Sequence, residues 1–139
     1  MADKVRDVMT SDPSCCEGTD SATAAAKAMR DGDFGAVIVI NDGEVAGIVT
    51  DRDIAVRVVA EGRDPGDSRL QDIATSGVET LSPDDSLDDA VQKMRDADVR
   101  RLPVVEGTRP VGIVSIGDLA VKRDERSALA DISAAAPNN

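Results

Sequence analysis

Apolar residues fall along the chain in two alternating rhythms. Ala22, Ala25, Ala26 and Met29 stand at i, i+3, i+4 and i+7, with Lys27, Arg30 and Asp31 on other faces. That spacing predicts an amphipathic helix with one stripe turned to a core. Asp20 or Ser21 lies just before it and can cap its first turn. The rhythm then changes: Ala36 to Ile40 is a continuous apolar, β-branched run, Asn41-Asp42-Gly43 is a tight-turn signal, and Glu44 to Val49 is a second strand-like run. Together they predict a β-hairpin. Helical spacing resumes at once, with Thr50 and Asp53 in the pattern of a helix-opening box, Ile54, Val58 and Val59 as an apolar face, and Gly62 as a stop. Upstream, Val5 to Met9 reads as a short helical lead-in, Thr10 to Ser14 interrupts regularity, and Cys15 begins a short strand.

The same pattern returns after a shift of about 65 residues, without a gap and with about seventeen identical positions between Val5–Arg57 and Leu70–Lys122. Gly47-Ile48-Val49-Thr50-Asp51-Arg52-Asp53-Ile54 reappears as Gly112-Ile113-Val114-Ser115-Ile116-Gly117-Asp118-Leu119. The helical stripe reappears as Leu87, Ala90, Val91 and Met94. The second half is therefore predicted as a helical Leu70 to Ala74, a strand Val78 to Leu81, a helix Pro83 to Ala97, strands Leu102 to Val105 and Pro110 to Val114, and a helix Ile116 to Arg123. The expected fold class is mixed α/β (α+β), built from tandem β-α-β-β-α repeats packed as a pseudo-two-fold module. Residues 1–62 hold the first repeat and its lead-in, 63–69 a connector, 70–124 the second repeat, and 125–139 a tail. In the tail, Ser127 to Ala135 is read as a frayed helix and Pro137 to Asn139 as disordered.

Composition narrows what such a module can do. A chain of 139 residues can bury a core without staples. Its net charge of −11 argues against a nucleic-acid partner and against anionic membranes. Phe34 is the single aromatic residue, so any ring-shaped ligand must lie between aliphatic groups. No apolar run is long enough to span a bilayer and the N-terminus lacks a signal peptide's apolar segment, which makes the cytoplasm the expected location. Cys15 and Cys16 are adjacent and point to opposite faces of a strand, a geometry that disfavours a disulfide between them; they read as strand residues, with redox sensing as the other reading. The chain has no histidine, so no usual zinc set is available and no metal site is expected.

Catalytic patterns are missing as well. No nucleophile elbow, phosphate loop or dinucleotide fingerprint occurs, and Asp84-Asp85 and Asp88-Asp89 read as the negatively charged first turn of a helix. No enzyme activity is expected. Chemistry concentrates instead at the repeated junction of strand and helix. Thr50 and Ser115 supply a hydroxyl beside free helix-start amides, and Asp53 and Asp118 a carboxylate able to accept two hydrogen bonds from a sugar diol. On spacing alone the same four residues read first as helix caps, and repetition cannot decide, because duplication would duplicate the caps too.

Those junctions carry a family resemblance. The Gly-apolar-apolar-Thr/Ser-x-x-Asp-apolar endings at Gly47 and Gly112, the run Val99-Arg100-Arg101-Leu102-Pro103-Val104-Val105, and the lead-ins Asp7-Val8-Met9-Thr10 and Asp72-Ile73-Ala74-Thr75 resemble a pair of CBS domains, the Bateman module. The likeness spans Val5 to Arg123. It implies a regulatory module whose two clefts, between the repeats' sheets, hold AMP, ADP, ATP or a related adenosine compound, with no cofactor required. It implies Asp53 and Asp118 at the ribose, Thr50 and Ser115 near the phosphates, and adenine near Thr10, Asp12 and Pro13 or near Thr75, Gly77 and Val78. It further implies a homodimer and an unidentified protein partner. The copies differ at the junction: Asp51 and Arg52 stand where the second copy has Ile116 and Gly117, and Arg100 and Arg101 align with Gly35 and Ala36. Arg52, Arg100 and Arg101 can pair with phosphate and Asp51 repels it, so the two sites are expected to be unequal.

Overall fold

The structure is a computed structural model that describes residues 3–123, with the side chains of residues 122 and 123 left aside. The tail expected at Ser127 to Ala135 and Pro137 to Asn139 lies outside the described residues. Helix and strand are mixed and the strands form two sheets, as the repeat pattern requires.

The chain separates into two compact units, Pro13–Val78 and the described residues on either side of it. In the first, β2 (Cys15–Glu17), β3 (Ala36–Asn41), β4 (Glu44–Thr50) and β5 (Thr75–Ser76) form one sheet in that order. Helix α2 (Ala22–Gly32) begins where the Ser21 hydroxyl accepts the Ala24 N–H, and ends at Asp33 in a left-handed conformation. It buries Ala22, Ala25 and Met29 against Val37, Val39 and Val49 of the hairpin and Val58, Leu70 and Ile73. Removing the Ser21 cap would cost about 1 kcal/mol. Helix α3 (Asp51–Ile54) runs into a π-helical segment, Ala55–Val59, and α4 (Leu70–Ile73) precedes β5. Hydrogen bonds from the Leu70 N–H to the Asp20 carbonyl and from the Gln71 N–H to the Gly18 carbonyl, both 2.9 Å, dock α4 on this unit.

The other unit repeats the plan. Helix α1 (Val5–Val8) and β1 (Thr10–Ser11) join α5 (Leu87–Ala97), β6 (Arg101–Glu106), β7 (Arg109–Ser115) and α6 (Ile116–Arg123), with the strands ordered β1-β7-β6. Val5, Leu81, Ala90, Met94, Leu102, Val104, Val114 and Leu119 are buried. The chain's first lead-in therefore pairs with the second hairpin, β1 against β7, while the second lead-in pairs with the first, β5 against β4.

Four expectations are corrected. The strand expected at Val78 to Leu81 is reduced to a single bridge from Leu81 to Val104. In the first copy the Ile38 N–H donates to the Ser14 carbonyl at 2.9 Å and starts β2; the aligned residue of the second copy is Pro103, which has no N–H to give. The helix expected from Pro83 starts at Leu87, because Ser86 takes the cap by accepting the Asp89 N–H at 3.0 Å. Asp84 and Asp85 thus lie before the helix, where Asp85 accepts the Ser82 N–H and Asp84 pairs with Arg6 and Lys4. Ala26 is exposed, leaving a narrower buried stripe on α2. Val59, expected on an inner face, is 66% exposed because the wider π turn rotates it out of the stripe that buries Val58.

Candidate functional site

The strand-to-helix junctions are built alike. Strand β4 ends at Thr50, whose extended backbone makes it the N-cap of α3. Its Oγ1 accepts the Asp53 N–H at 3.1 Å, and Asp53 Oδ2 accepts the Thr50 N–H at 2.9 Å. Ser115 and Asp118 repeat both bonds, at 3.1 and 2.9 Å, ahead of the rest of α6. The first helical amide is also taken in each copy: the Asp51 N–H donates to the Gly35 carbonyl at 3.0 Å, and the Ile116 N–H to the Arg100 carbonyl at 2.8 Å. Both junctions are thus reciprocal capping boxes, as spacing allowed. Each box engages one oxygen of its aspartate and leaves the other, Oδ1, outside the cap.

The surroundings of the two boxes differ. Arg52 donates its N–H to Asp51 Oδ1 at 2.8 Å, so a carboxylate already covers the second amide of α3. In α6 the equivalent amide belongs to Gly117, and Ile116 has no side-chain acceptor to cover it. Asp53 Oδ1 faces Arg57 Nε at 4.0 Å, and Arg57 Nη1 donates to the Ile73 carbonyl at 2.9 Å. No ion pair to Asp118 is present among the described side chains. Asp53, at 18% side-chain exposure, is largely withdrawn from water while Asp51 and Arg52 are exposed.

The exchanged lead-ins decide which candidates meet. Thr75 pairs with Ile48 and the next residue with Gly47, which brings Thr75, Gly77 and Val78 into the unit that holds Thr50 to Asp53. Thr10 pairs with Ile113, which brings Thr10 and Asp12 into the unit of Ser115, Gly117 and Asp118, together with Arg100 and Arg101; Pro13 falls in the unit of Thr50 to Asp53. Each motif therefore sits beside the lead-in of the opposite repeat. Both lead-in strands end at a left-handed residue, Asp12 (φ 54°) and Gly77 (φ 65°). The motif glycines allow the pairing: a Cβ on Gly47 would stand 2.5 Å from the Thr75 carbonyl oxygen, and one on Gly112 would stand 2.5 Å from Met9 Sδ and 3.1 Å from the Thr10 oxygen.

The two arginines after α5 separate. Arg101 opens β6 opposite Ser115. Arg100 instead lines a cavity of about 300 Å³ with Val91, Met94, Arg95, Asp98, Val99 and Ile116, on the α5 side of the hairpin. Spacing had no means of finding this cavity or the Arg57 contact, since both depend on elements that meet only after folding.

The cysteines are free, and burial pushes both thiols above their ordinary range, with Asp20 and then Cys15 adding to the effect at Cys16. Raised thiols are poor nucleophiles at neutral pH, which fits strand residues. Among the described residues there is no group of three or more His, Cys, Asp or Glu able to hold a metal, and no helix long and apolar enough to cross a membrane.

Comparisons with known proteins agree with this architecture. The CBS domain family model matches twice, at residues 5–60 and 70–124. The CBS domain-containing protein YhcV of Bacillus subtilis is 38% identical over 133 residues, 93% of this chain and 94% of that protein. The crystal structure of Hypoxic Response Protein I with two coordinated zinc ions superposes with a TM-score of 0.75 at 33% identity, covering 84% of this chain and 96% of that one. The CBS domain pair of protein MJ0100, in complex with 5'-methylthioadenosine and S-adenosyl-L-methionine, superposes with a TM-score of 0.82 at 25% identity, over 91% of this chain and all of that one.

Proposed function

Because the chain belongs to the CBS-domain family as a tandem pair, we propose that it is a regulatory module that binds an adenosine-type small molecule at its strand-to-helix junctions. AMP, ADP and ATP are the first candidates, and S-adenosylmethionine joins them through the ligands of MJ0100. The observation that carries the reading is the duplicated aspartate with one oxygen in the cap and one outside it. A ribose diol needs such an acceptor beside a wall of apolar backbone, and each junction has a lead-in strand paired alongside. The hydroxyls of Thr50 and Ser115 are engaged as acceptors, so each can still donate its own proton to a phosphate oxygen. Of the two helix starts, that of α6 suits phosphate better, since Asp51 carries negative charge at α3 and Ile116 none at α6. Arg101 beside Ser115 adds positive charge to the same unit. The chain would act in the cytoplasm as a homodimer without catalysing a reaction, passing ligand occupancy to a protein partner through different affinities for two states.

A thermal-shift panel of AMP, ADP, ATP, NAD and S-adenosylmethionine tests this. A ligand at about 100 times its Kd adds roughly 2.7 kcal/mol of stability and raises Tm accordingly. Asp53→Asn and Asp118→Asn keep an acceptor for the cap while weakening the diol bond, so the shift should shrink in each and vanish in the double variant. No shift with any of the five would leave the aspartates as caps alone, in a ligand-free interaction protein.

A further inference from the structure

The guanidinium of Arg57 touches two parts of its unit that are far apart in sequence. Its Nη1 is anchored by the Ile73 carbonyl of α4 at 2.9 Å, and its Nε stands 4.0 Å from Asp53 Oδ1, the oxygen that the capping box leaves over. The anchor matters because an arginine held at one end by a carbonyl presents the rest of its planar fork in a fixed direction. We propose that Arg57 is the positioning residue of the first site: it fixes the orientation of the Asp53 carboxylate, and so sets how strongly that site distinguishes a ribose from a 2'-deoxyribose. The aspartate has two restraints. Oδ2 is held by the Thr50 N–H, and Oδ1 by the field of a cation that is itself fastened to another helix. With the carboxylate plane set, a cis-diol can place both hydroxyl protons on it, whereas a 2'-deoxy sugar can place only one. The second copy has Lys122 in the aligned position, a single ammonium that lacks the fork needed to hold a carbonyl and face a carboxylate together. Sugar discrimination is thus a property of the first site more than of the second.

The inference rests on the adenosine reading, and the test separates the two. In an Asp118→Asn background, which leaves the first site to be read alone, AMP and 2'-deoxy-AMP are titrated by calorimetry against Arg57, Arg57→Met and Arg57→Lys. With Arg57 the background protein should prefer AMP, and Arg57→Met should weaken AMP about tenfold while changing 2'-deoxy-AMP little, so that the ratio collapses toward one. Arg57→Lys should restore part of the ratio through charge alone. Equal weakening of both nucleotides by Arg57→Met, or an unchanged ratio, overturns the positioning role and leaves the adenosine reading intact. Absence of AMP binding in the unsubstituted protein overturns the positioning role, and absence of binding by all five ligands of the panel overturns both. Hydrogen exchange of the ligand-free protein reads the anchor independently: the Ala74 amide, bonded to the Leu70 carbonyl at the end of α4, should exchange faster in Arg57→Met than in Arg57→Lys. Equal exchange in the two variants removes the Ile73 anchor from the account.

Discussion

At the first junction Asp51 covers the amide of Arg52, and Arg57 stands over the outer oxygen of Asp53; at the second, neither the Gly117 amide nor the outer oxygen of Asp118 meets such a side chain among the described residues. The capping bonds of the two junctions agree to within 0.1 Å. Duplication has therefore kept the local turn and let the electrostatic surroundings diverge. Caps depend on residues three apart, which a copied segment carries with it, while the groups around a cap come from elsewhere and drift separately. The same contrast holds at the lead-ins. Asp84 ties Arg6 and Lys4 to the unit of the second hairpin, whereas its aligned residue, Thr19, has no charge to offer Gln71 and Arg69.

Four substitutions probe this contrast beyond the ligand experiments. The largest effect is expected from the motif glycines. In Gly47→Ala the new methyl meets a backbone oxygen of β5 that cannot swing away, and β5 must shift; the cost should be about 3 kcal/mol. In Gly112→Ala the closest atom is the flexible Met9 thioether, and about 1 kcal/mol is expected. Urea unfolding of the two variants measures the difference, and equal losses would mean that the lead-ins are held alike.

A smaller effect is expected from Pro103→Val, which gives the second copy the amide that Ile38 uses in the first. The added hydrogen bond, about 1 kcal/mol, is largely offset by the freedom the unfolded chain regains when proline is lost. Stability should therefore change by less than about 1 kcal/mol, while the amide at position 103 becomes protected from exchange. An unprotected amide there would show that something other than the missing donor shortens the strand.

The smallest effect is the acid response of the Arg6 latch. The hydrogen bond from Arg6, and then its charge, hold the Asp84 carboxyl below its ordinary 3.8. A carboxyl lowered in the folded state stabilises it above that ordinary value and loses the contribution as pH falls through the lowered one. Wild type should melt slightly above Asp84→Thr at pH 6, and the gap should close as pH falls below 3.8 and through the lowered folded-state value. A gap that persists in acid would assign the latch to packing. Because Asp84 is exposed, salt should narrow the gap as well.

Much of the site was legible before folding. Thr50, Asp53, Ser115 and Asp118 stood out because a cap follows from short spacing, with their assignment to a ligand implied by the family resemblance, and the hairpins and helix stripes because their periods are local. Arg57 was not, since nothing in its neighbourhood announces the Ile73 carbonyl sixteen residues on. Arg100 and Arg101 read as one basic pair, yet Arg101 opens β6 opposite Ser115 while Arg100, in the bend before the strand, lines the cavity beside α5.

By itself, the sequence determined the twofold repeat, the two capping boxes, the hairpin turns and the inequality of charge at the junctions, all consequences of residues within a few positions of each other. Tertiary structure alone decided that each lead-in pairs with the opposite repeat's hairpin, that the segment opposite Pro103, over twenty residues away, keeps one bridge where the first copy has a strand, and that Arg57 reaches Asp53 and Ile73 at once. Those are choices among distant partners, and distant pairing is settled by which backbone groups and apolar faces remain to be satisfied when the elements pack.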